Sequence, residues 1–257
     1  MDDSLITPRS AVRVAGMVRV APAADLVDVV EQHWIVAWDH RDREPVVRET
    51  LPDPCVNLAI EPAGVFVYGV TSGTSPHELA SAGTVVGTKF RPGGFSGFVP
   101  GPMRALNDRV LEPAELFGAA GEAFVRSLAG AASTRELIEV VWAFLREQRP
   151  VPDAQRALVG KIVEAMRAAP ATRVGEIARR FGLTPRTLQR LFAEHVGATP
   201  KQVLRRFRHQ EATDRLTERD AGLARLAAEL GYFDQAHFIQ DFRAGTGRLP
   251  SAVAAAG

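Results

Sequence analysis

The sequence predicts an α+β protein of two domains, a small β-barrel followed by an all-helical half. Three observations predict it. Short β-rich runs punctuated by turn residues fill the chain before residue 100. Helical spacing of apolar residues takes over after residue 112. The helical half then contains one pattern written twice. With 257 residues, 46% hydrophobic and 24% charged, the chain has the make-up of a core-forming protein and not of a disordered or fibrous one.

In chain order, Leu26, Val29, Val30 and His33 suggest a helical turn before the first strand. Four strands are read over His33–Trp38, Val56–Ile60, Val65–Tyr68 and Thr84–Phe90. Turn signals lie between them or just after: Pro52-Asp53-Pro54, Pro62-Ala63-Gly64, Ser72-Gly73-Thr74 and Pro92-Gly93-Gly94. Short strands at this spacing suit a small barrel or sandwich, which can enclose one small ligand. Trp34, Trp38, Phe66, Tyr68, Phe90 and Arg91 are the candidate pocket residues, favouring an uncharged or amphipathic compound. Arg91-Pro92-Gly93-Gly94 is read as a tight turn closing the barrel or as an anion-binding turn. Leu116, Phe124 and Leu128, then Leu137, Val141 and Phe144, mark flanking helices that Arg149-Pro150-Val151-Pro152 ends. The domain boundary is placed there, giving domains 1–150 and 151–257.

Charge divides at the same place. Residues 1–150 carry a net charge of −5 and residues 151–257 of +6, with +7 concentrated in 173–208. A basic half beside a mildly acidic one implies different partners, nucleic acid among them.

The repeat is the most informative feature. At an offset of 49, Ile177, Ala178, Phe181 and Gly182 meet Leu226, Ala227, Leu230 and Gly231. One extra residue enters at the turn, and at an offset of 50 Leu188, Phe192, Gly197 and Pro200 meet Phe238, Phe242, Gly247 and Pro250. Each unit has the parts of a helix-turn-helix. In the first, Gly182 permits the positive φ that ends a helix, Thr184 is an N-cap and Pro185 suits the first helical position. Asp234 is the N-cap in the second, with Phe238 and Phe242 buried behind it. Burying Leu188, Leu191 and Phe192 leaves Arg186, Gln189 and Arg190 on another face. Arg reads guanine O6 and N7, and Gln reads adenine N6 and N7, so this face suits a major groove.

A connecting helix is expected from Pro200 to about Thr217, capped by Thr199, with Val203, Leu204, Phe207, Ala212 and Leu216 as its buried stripe. Its 18 residues span roughly 27 Å, enough to set two recognition helices about one DNA turn, roughly 34 Å, apart. Arg173, Arg180, Thr187, Lys201, Arg205 and Arg206 are candidates for phosphate contact.

The tandem unit resembles the DNA-binding domain of the AraC/XylS family of bacterial transcription regulators. The resemblance covers about residues 155–253 and rests on Ile177-Ala178, Gly182-Leu183-Thr184, Leu188-Gln189-Arg190-Leu191-Phe192, Gly231-Tyr232-Phe233-Asp234-Gln235 and His237-Phe238. It implies an all-α tandem helix-turn-helix fold joined by a long linker helix, a double-stranded DNA operator as partner, and RNA polymerase as a second partner for an activator. It also carries base reading onto Arg186, Gln189 and Arg190 in the first unit and Gln235, Ala236, Ile239 and Gln240 in the second. Ala236 and Ile239 depart from the usual polar pattern, so the first unit is expected to supply most base readout, and the second to position the backbone or read thymine methyls. The front half resembles a cupin-like N-terminal domain found beside such units, through His33-Trp34, Trp38, Leu51-Pro52-Asp53, Gly69 and Val86–Gly94. That resemblance implies an effector-sensing or dimerising module, hence a small-molecule effector or a homodimer.

Other readings are a cupin-like enzyme carrying a DNA-binding tail, and a constitutive regulator whose front half only dimerises. His33, His40 and His77 lack metal-ligand spacing, so no metal, cofactor or catalytic residue is expected. The lone Cys55 allows no intramolecular disulfide and is read as a small buried hydrophobe. No secretory signal or membrane span is expected, and a reducing cytoplasm is the expected compartment.

Overall fold

A computed structural model describes residues 17–41, 46–50, 54–71, 75–148, 153–217 and 222–255. The turns read at Pro52-Asp53 and Ser72–Thr74, the whole of Leu51-Pro52-Asp53, and the linker 149–152 lie outside the described residues.

The front half is an antiparallel sheet. Its strands are β1 (Met17–Val20), β2 (Val30–His40), β4 (Asn57–Glu61), β5 (Gly64–Tyr68), β7 (Ser81–Phe90) and β8 (Val110–Leu111), in the order β1-β2-β7-β4-β5-β8. A separate two-stranded ribbon pairs β3 (Val46–Thr50) with β6 (Ser75–Leu79). The expected small barrel is therefore corrected to an open sheet: among the described residues β1 and β8 are edges that do not pair with one another. Helices, not a closing strand, cover the face carrying His33, Thr88, Leu58 and Val67. They are α1 (Pro113–Phe117), α2 (Ala119–Ser127) and α3 (Thr134–Glu147). A sheet that buries one face under helices gains its core without closing.

Two aromatic and polar chains fix that cover. Phe90 meets Phe95 edge-on at 4.8 Å, Phe95 meets Phe117 at 6.3 Å, and Phe144 meets Phe117 at 5.0 Å and stacks on Phe124 at 4.3 Å. Trp142 Nε1 on α3 donates to His33 Nε2 at 2.8 Å. The proton of His33 therefore sits on Nδ1, which donates to Thr88 Oγ1 at 2.9 Å. Burial lowers the pKa of His33 to about 4, in keeping with a neutral ring that accepts from an indole.

The helical turn expected over Leu26, Val29, Val30 and His33 is instead a 3-10 turn at Ala24–Leu26, a turn at Val27–Val29 and then β2 from Val30. Val30 pairs with Phe90 and His33 with Thr88, so sheet pairing overrides the local helical spacing. Cys55 is buried.

The second half is helical: α4 (Ala154–Ala168), α5 (Val174–Arg180), α6 (Pro185–His195), α7 (Pro200–Thr217), α8 (Leu223–Glu229), α9 (Gln235–Thr246) and α10 (Pro250–Ala254). The rod α7 has the bounds read from the sequence, and Val203, Leu204, Phe207, Ala212 and Leu216 are buried. Thr199 Oγ1 accepts from Gln202 N at 3.2 Å, as a cap does.

One apolar cluster runs from the sheet through α3 and α4 to α5, α6 and the first half of α7. A second, separate cluster joins the last part of α7 to α8, α9 and α10. The first helix-turn-helix unit thus shares its core with the sheet, whereas the second has its own. No helix among the described residues is long and apolar enough to cross a membrane.

Candidate nucleic-acid interface

The two units are built alike. Just past the end of α5 stands Gly182 (φ 66°) and just past the end of α8 stands Gly231 (φ 77°), where any Cβ would be strained. The same turn bond follows in each, Leu183 N to Ala178 O and Tyr232 N to Ala227 O, both 2.9 Å. Thr184 Oγ1 accepts from Thr187 N at 3.1 Å to start α6, with Pro185 in the first turn. Asp234 Oδ1 accepts from His237 N at 2.7 Å to start α9. His237 itself is exposed, its ring 5.4 Å from that of Tyr232.

α6 buries Leu188, Leu191 and Phe192 and leaves Arg186, Gln189 and Arg190 exposed on its outer side. On α9, Phe238 and Phe242 are fully buried, Gln235, Ala236 and Gln240 are exposed, and Ile239 is half-buried against the second cluster. The residues expected to read bases are polar and exposed on α6, and on α9 they pair the exposed Gln235 and Gln240 with Ala236 and the half-buried Ile239.

The candidate phosphate contacts divide. Arg173, Arg180 and Lys201 are exposed. Thr187 uses its hydroxyl against Thr184 Oγ1 at 2.9 Å. Arg205 is drawn inward, 3.9 Å from Asp241 Oδ1, and Arg206 is half-buried.

Asp241 is the hub of a polar cluster absent from the sequence reading. His209 Nε2 on α7 and the Tyr232 hydroxyl both donate to its Oδ2, at 2.9 and 2.7 Å. Burial raises the Asp241 carboxyl, but these two bonds and the nearby Arg205 outweigh it and hold the pKa at about 2. Arg208 on α7 donates to the carbonyls of Pro170 and Thr172 and stands 5.8 Å from the Tyr232 ring. α7 is thereby tied both to α9 and to the segment before α5. The sequence signal for this was Gly245, where a Cβ would come within 2.1 Å of the His209 ring.

The sheet grips the first unit at its back. Asn107 Nδ2 donates to Gly197 O at 2.7 Å, and Arg104 reaches Glu194 on α6 at 3.7 Å. The turn Arg91–Gly94 belongs to this joint. Arg91 donates to Val27 O at 2.6 Å and to Glu164 on α4 at 3.0 Å, and Gly93 lies beside Val159 and the end of α6.

The six candidate pocket residues are not all brought together. Trp34, Trp38, Phe66 and Tyr68 share the sheet face away from the helices, by the registers Trp34–Gly87–Ala59–Phe66 and Trp38–Gly83. Both glycines leave room for an indole, since a Cβ at Gly87 would lie 2.0 Å from Trp34 and one at Gly83 2.5 Å from Trp38. Tyr68 donates to Glu61 Oε1 at 2.7 Å. Phe90 lies on the opposite, helix-covered face, and Arg91 is committed to α4. Among the described residues no group of three or more His, Cys, Asp or Glu is placed to hold a metal ion.

Residues 177–256 match the family model of a helix-turn-helix domain. This part of the chain is an AraC-type helix-turn-helix domain. The matched domain begins inside α5 and takes in both helix-turn-helix units, with α6 and α9. Residues 18–112, the sheet ahead of it, match a domain of unknown function (DUF6597). No curated protein matches the chain. Among solved structures, an AraC-type DNA-binding domain-containing transcriptional regulator from Chromobacterium violaceum is similar at 23% identity, over 37% of this chain and 86% of that one, with a TM-score of 0.34. The C-terminal domain of AraT, a response regulator from Geobacillus stearothermophilus, is similar at 19% identity, over 37% and 85%, with a TM-score of 0.34. ToxT from Vibrio cholerae is similar at 11% identity, over 92% and 96%, with a TM-score of 0.40.

Proposed function

We propose that the chain is a sequence-specific DNA-binding transcription regulator whose C-terminal part, from about residue 151, holds an operator with its two helix-turn-helix units. The observation that carries this reading is the α6 face: Arg186, Gln189 and Arg190 stand in solvent on a helix whose other side is core, inside the matched domain. Those three side chains supply most of the base discrimination. Arg173, Arg180 and Lys201 supply the salt-dependent, sequence-blind part of affinity. The sheet half, to about residue 150, modulates binding through a small ligand, dimerisation or both. The aromatic face of Trp34, Trp38, Phe66 and Tyr68 is the ligand candidate, and the Asn107–Gly197 joint is the route to α6. A ligand acts there only by favouring one arrangement of the two parts over another.

Selection of duplexes from a randomised pool by the full chain, followed by affinity measurement, tests the reading. Enrichment of a defined sequence is expected, and Arg190→Ala relaxes the preference at one position. No enrichment, or a preference that survives Arg190→Ala but is abolished by Gln240→Ala, contradicts it.

A further inference from the structure

The two recognition helices have opposite chemistry, and the structure shows which residue the second unit adds. The turn bond pairs Leu183 with Tyr232 and the N-caps pair Thr184 with Asp234, so the extra residue of the second unit is Phe233. Leu183 packs against the core, but Phe233 is 93% exposed at the start of α9. At the offset of 50, the positions of Arg186 and Gln189 on α6 are held by Ala236 and Ile239 on α9. Leu249, 43% exposed, lines the same concavity as Ala236 and Ile239. Residues 223–250 carry three basic and three acidic side chains, so this unit brings no net charge to a phosphate backbone.

We propose that the second unit recognises thymine through its C5-methyl group, with Ala236 and Ile239 facing the methyls in the major groove and Phe233 lying against the adjoining deoxyribose. This rests on the DNA-binding reading above and deepens it. The occupant is a duplex because the apolar face occupies the positions on α9 that Arg186 and Gln189 occupy on α6, and Gln235 and Gln240 flank it with groove-reading amides. A methyl group is the one apolar feature a base pair presents there, and only an A·T pair presents it. The second unit thus gives an operator with an A·T-rich half beside the half read by Arg186, Gln189 and Arg190.

The test uses the full chain and duplexes it selects from a randomised pool, with deoxyuridine replacing thymidine in one half-site at a time. The second half-site is the one whose preference Arg190→Ala leaves unchanged. Deoxyuridine there is expected to weaken binding about fourfold for each methyl removed, and Ile239→Ala abolishes the difference between thymidine and deoxyuridine. Phe233→Ser, at an exposed position, weakens binding to both duplexes without changing their ratio. Equal affinity for the two duplexes overturns the proposal. So does duplex binding unchanged by Phe233→Ser with transcription lost in a reconstituted system, an outcome that assigns the patch to a protein partner. A chain that enriches no sequence fails at the earlier step, and that result refutes the regulatory reading itself.

Discussion

Arg190 stands in solvent because Leu188, Leu191 and Phe192 take the core side of α6. Arg190→Ala should cost about 1–3 kcal/mol of specific binding and relax one base position, measured by fluorescence anisotropy on selected duplexes and their single-base variants. His33 makes a different kind of commitment, to neutrality. Its folded pKa of about 4 lies below the ordinary 6.5, so the unfolded chain takes up the proton first as pH falls. The stability contributed by neutral His33 is therefore whole above about pH 6.5 and is lost progressively down to about pH 4, by ~3 kcal/mol at most. Urea unfolding at pH 7 and at pH 4.5, with an NMR titration of the His33 ring, checks this. A ring that titrates near 6.5 would show that Trp142 does not hold it neutral. The outward face of Arg186, Gln189 and Arg190 was legible in the sequence because helical periodicity fixes which side chains point outward. The Trp142–His33 and Asp241–His209 bonds were not, because their partners lie 109 and 32 positions apart and no local pattern joins them.

Among the elements, those governed by neighbours in the chain were the readable ones. Thr184, Thr199 and Asp234 cap the helices they were expected to cap, and α7 runs from Pro200 to Thr217 as its stripe dictates. The long strands β2 and β7 were also visible, through His33–Trp38 and Thr84–Phe90. The edges β1 and β8, of four and two residues, carry too little alternation to signal a strand, and in the ribbon of β3 and β6 the polar Arg48, Glu49, Pro76, His77 and Glu78 hide it. Closure failed as an expectation because the sheet face is covered by α1–α3, a choice made by tertiary packing. The joint between the sheet and α6 gives a sharp test at this scale. Gly197 has a φ of 82°, and a Cβ there would stand 2.7 Å from Asn107 Oδ1. Gly197→Ala should destabilise the chain by ~1–3 kcal/mol, read by chemical denaturation, whereas Gly222→Ala, with open space around it, should do far less.

At the scale of the whole molecule, the two cores matter most. The first unit is part of the same apolar body as the sheet, and the second has its own core, joined through α7 with its Asp241 clasp and through Gly231 beside Ala171. The sheet therefore touches α6 directly, whereas α9 packs in a core that the sheet does not share. Charge follows the same division, with +7 in residues 173–208 against none net in 223–250. Lys201→Ala should accordingly lower affinity for all duplexes alike and reduce the salt slope by about 1, checked by titrations between low and moderate salt. An unchanged slope would remove Lys201 from the phosphate contacts.

Hydroxyl-radical footprinting of the full chain on a selected duplex tests the central claim most directly. Two units on a rigid 18-residue rod should protect two segments about one helical turn apart on the same side of the DNA. Arg190→Ala should weaken the protection of one segment more than the other. A single protected segment, protection spread evenly along the duplex, or none at low ionic strength would contradict the account.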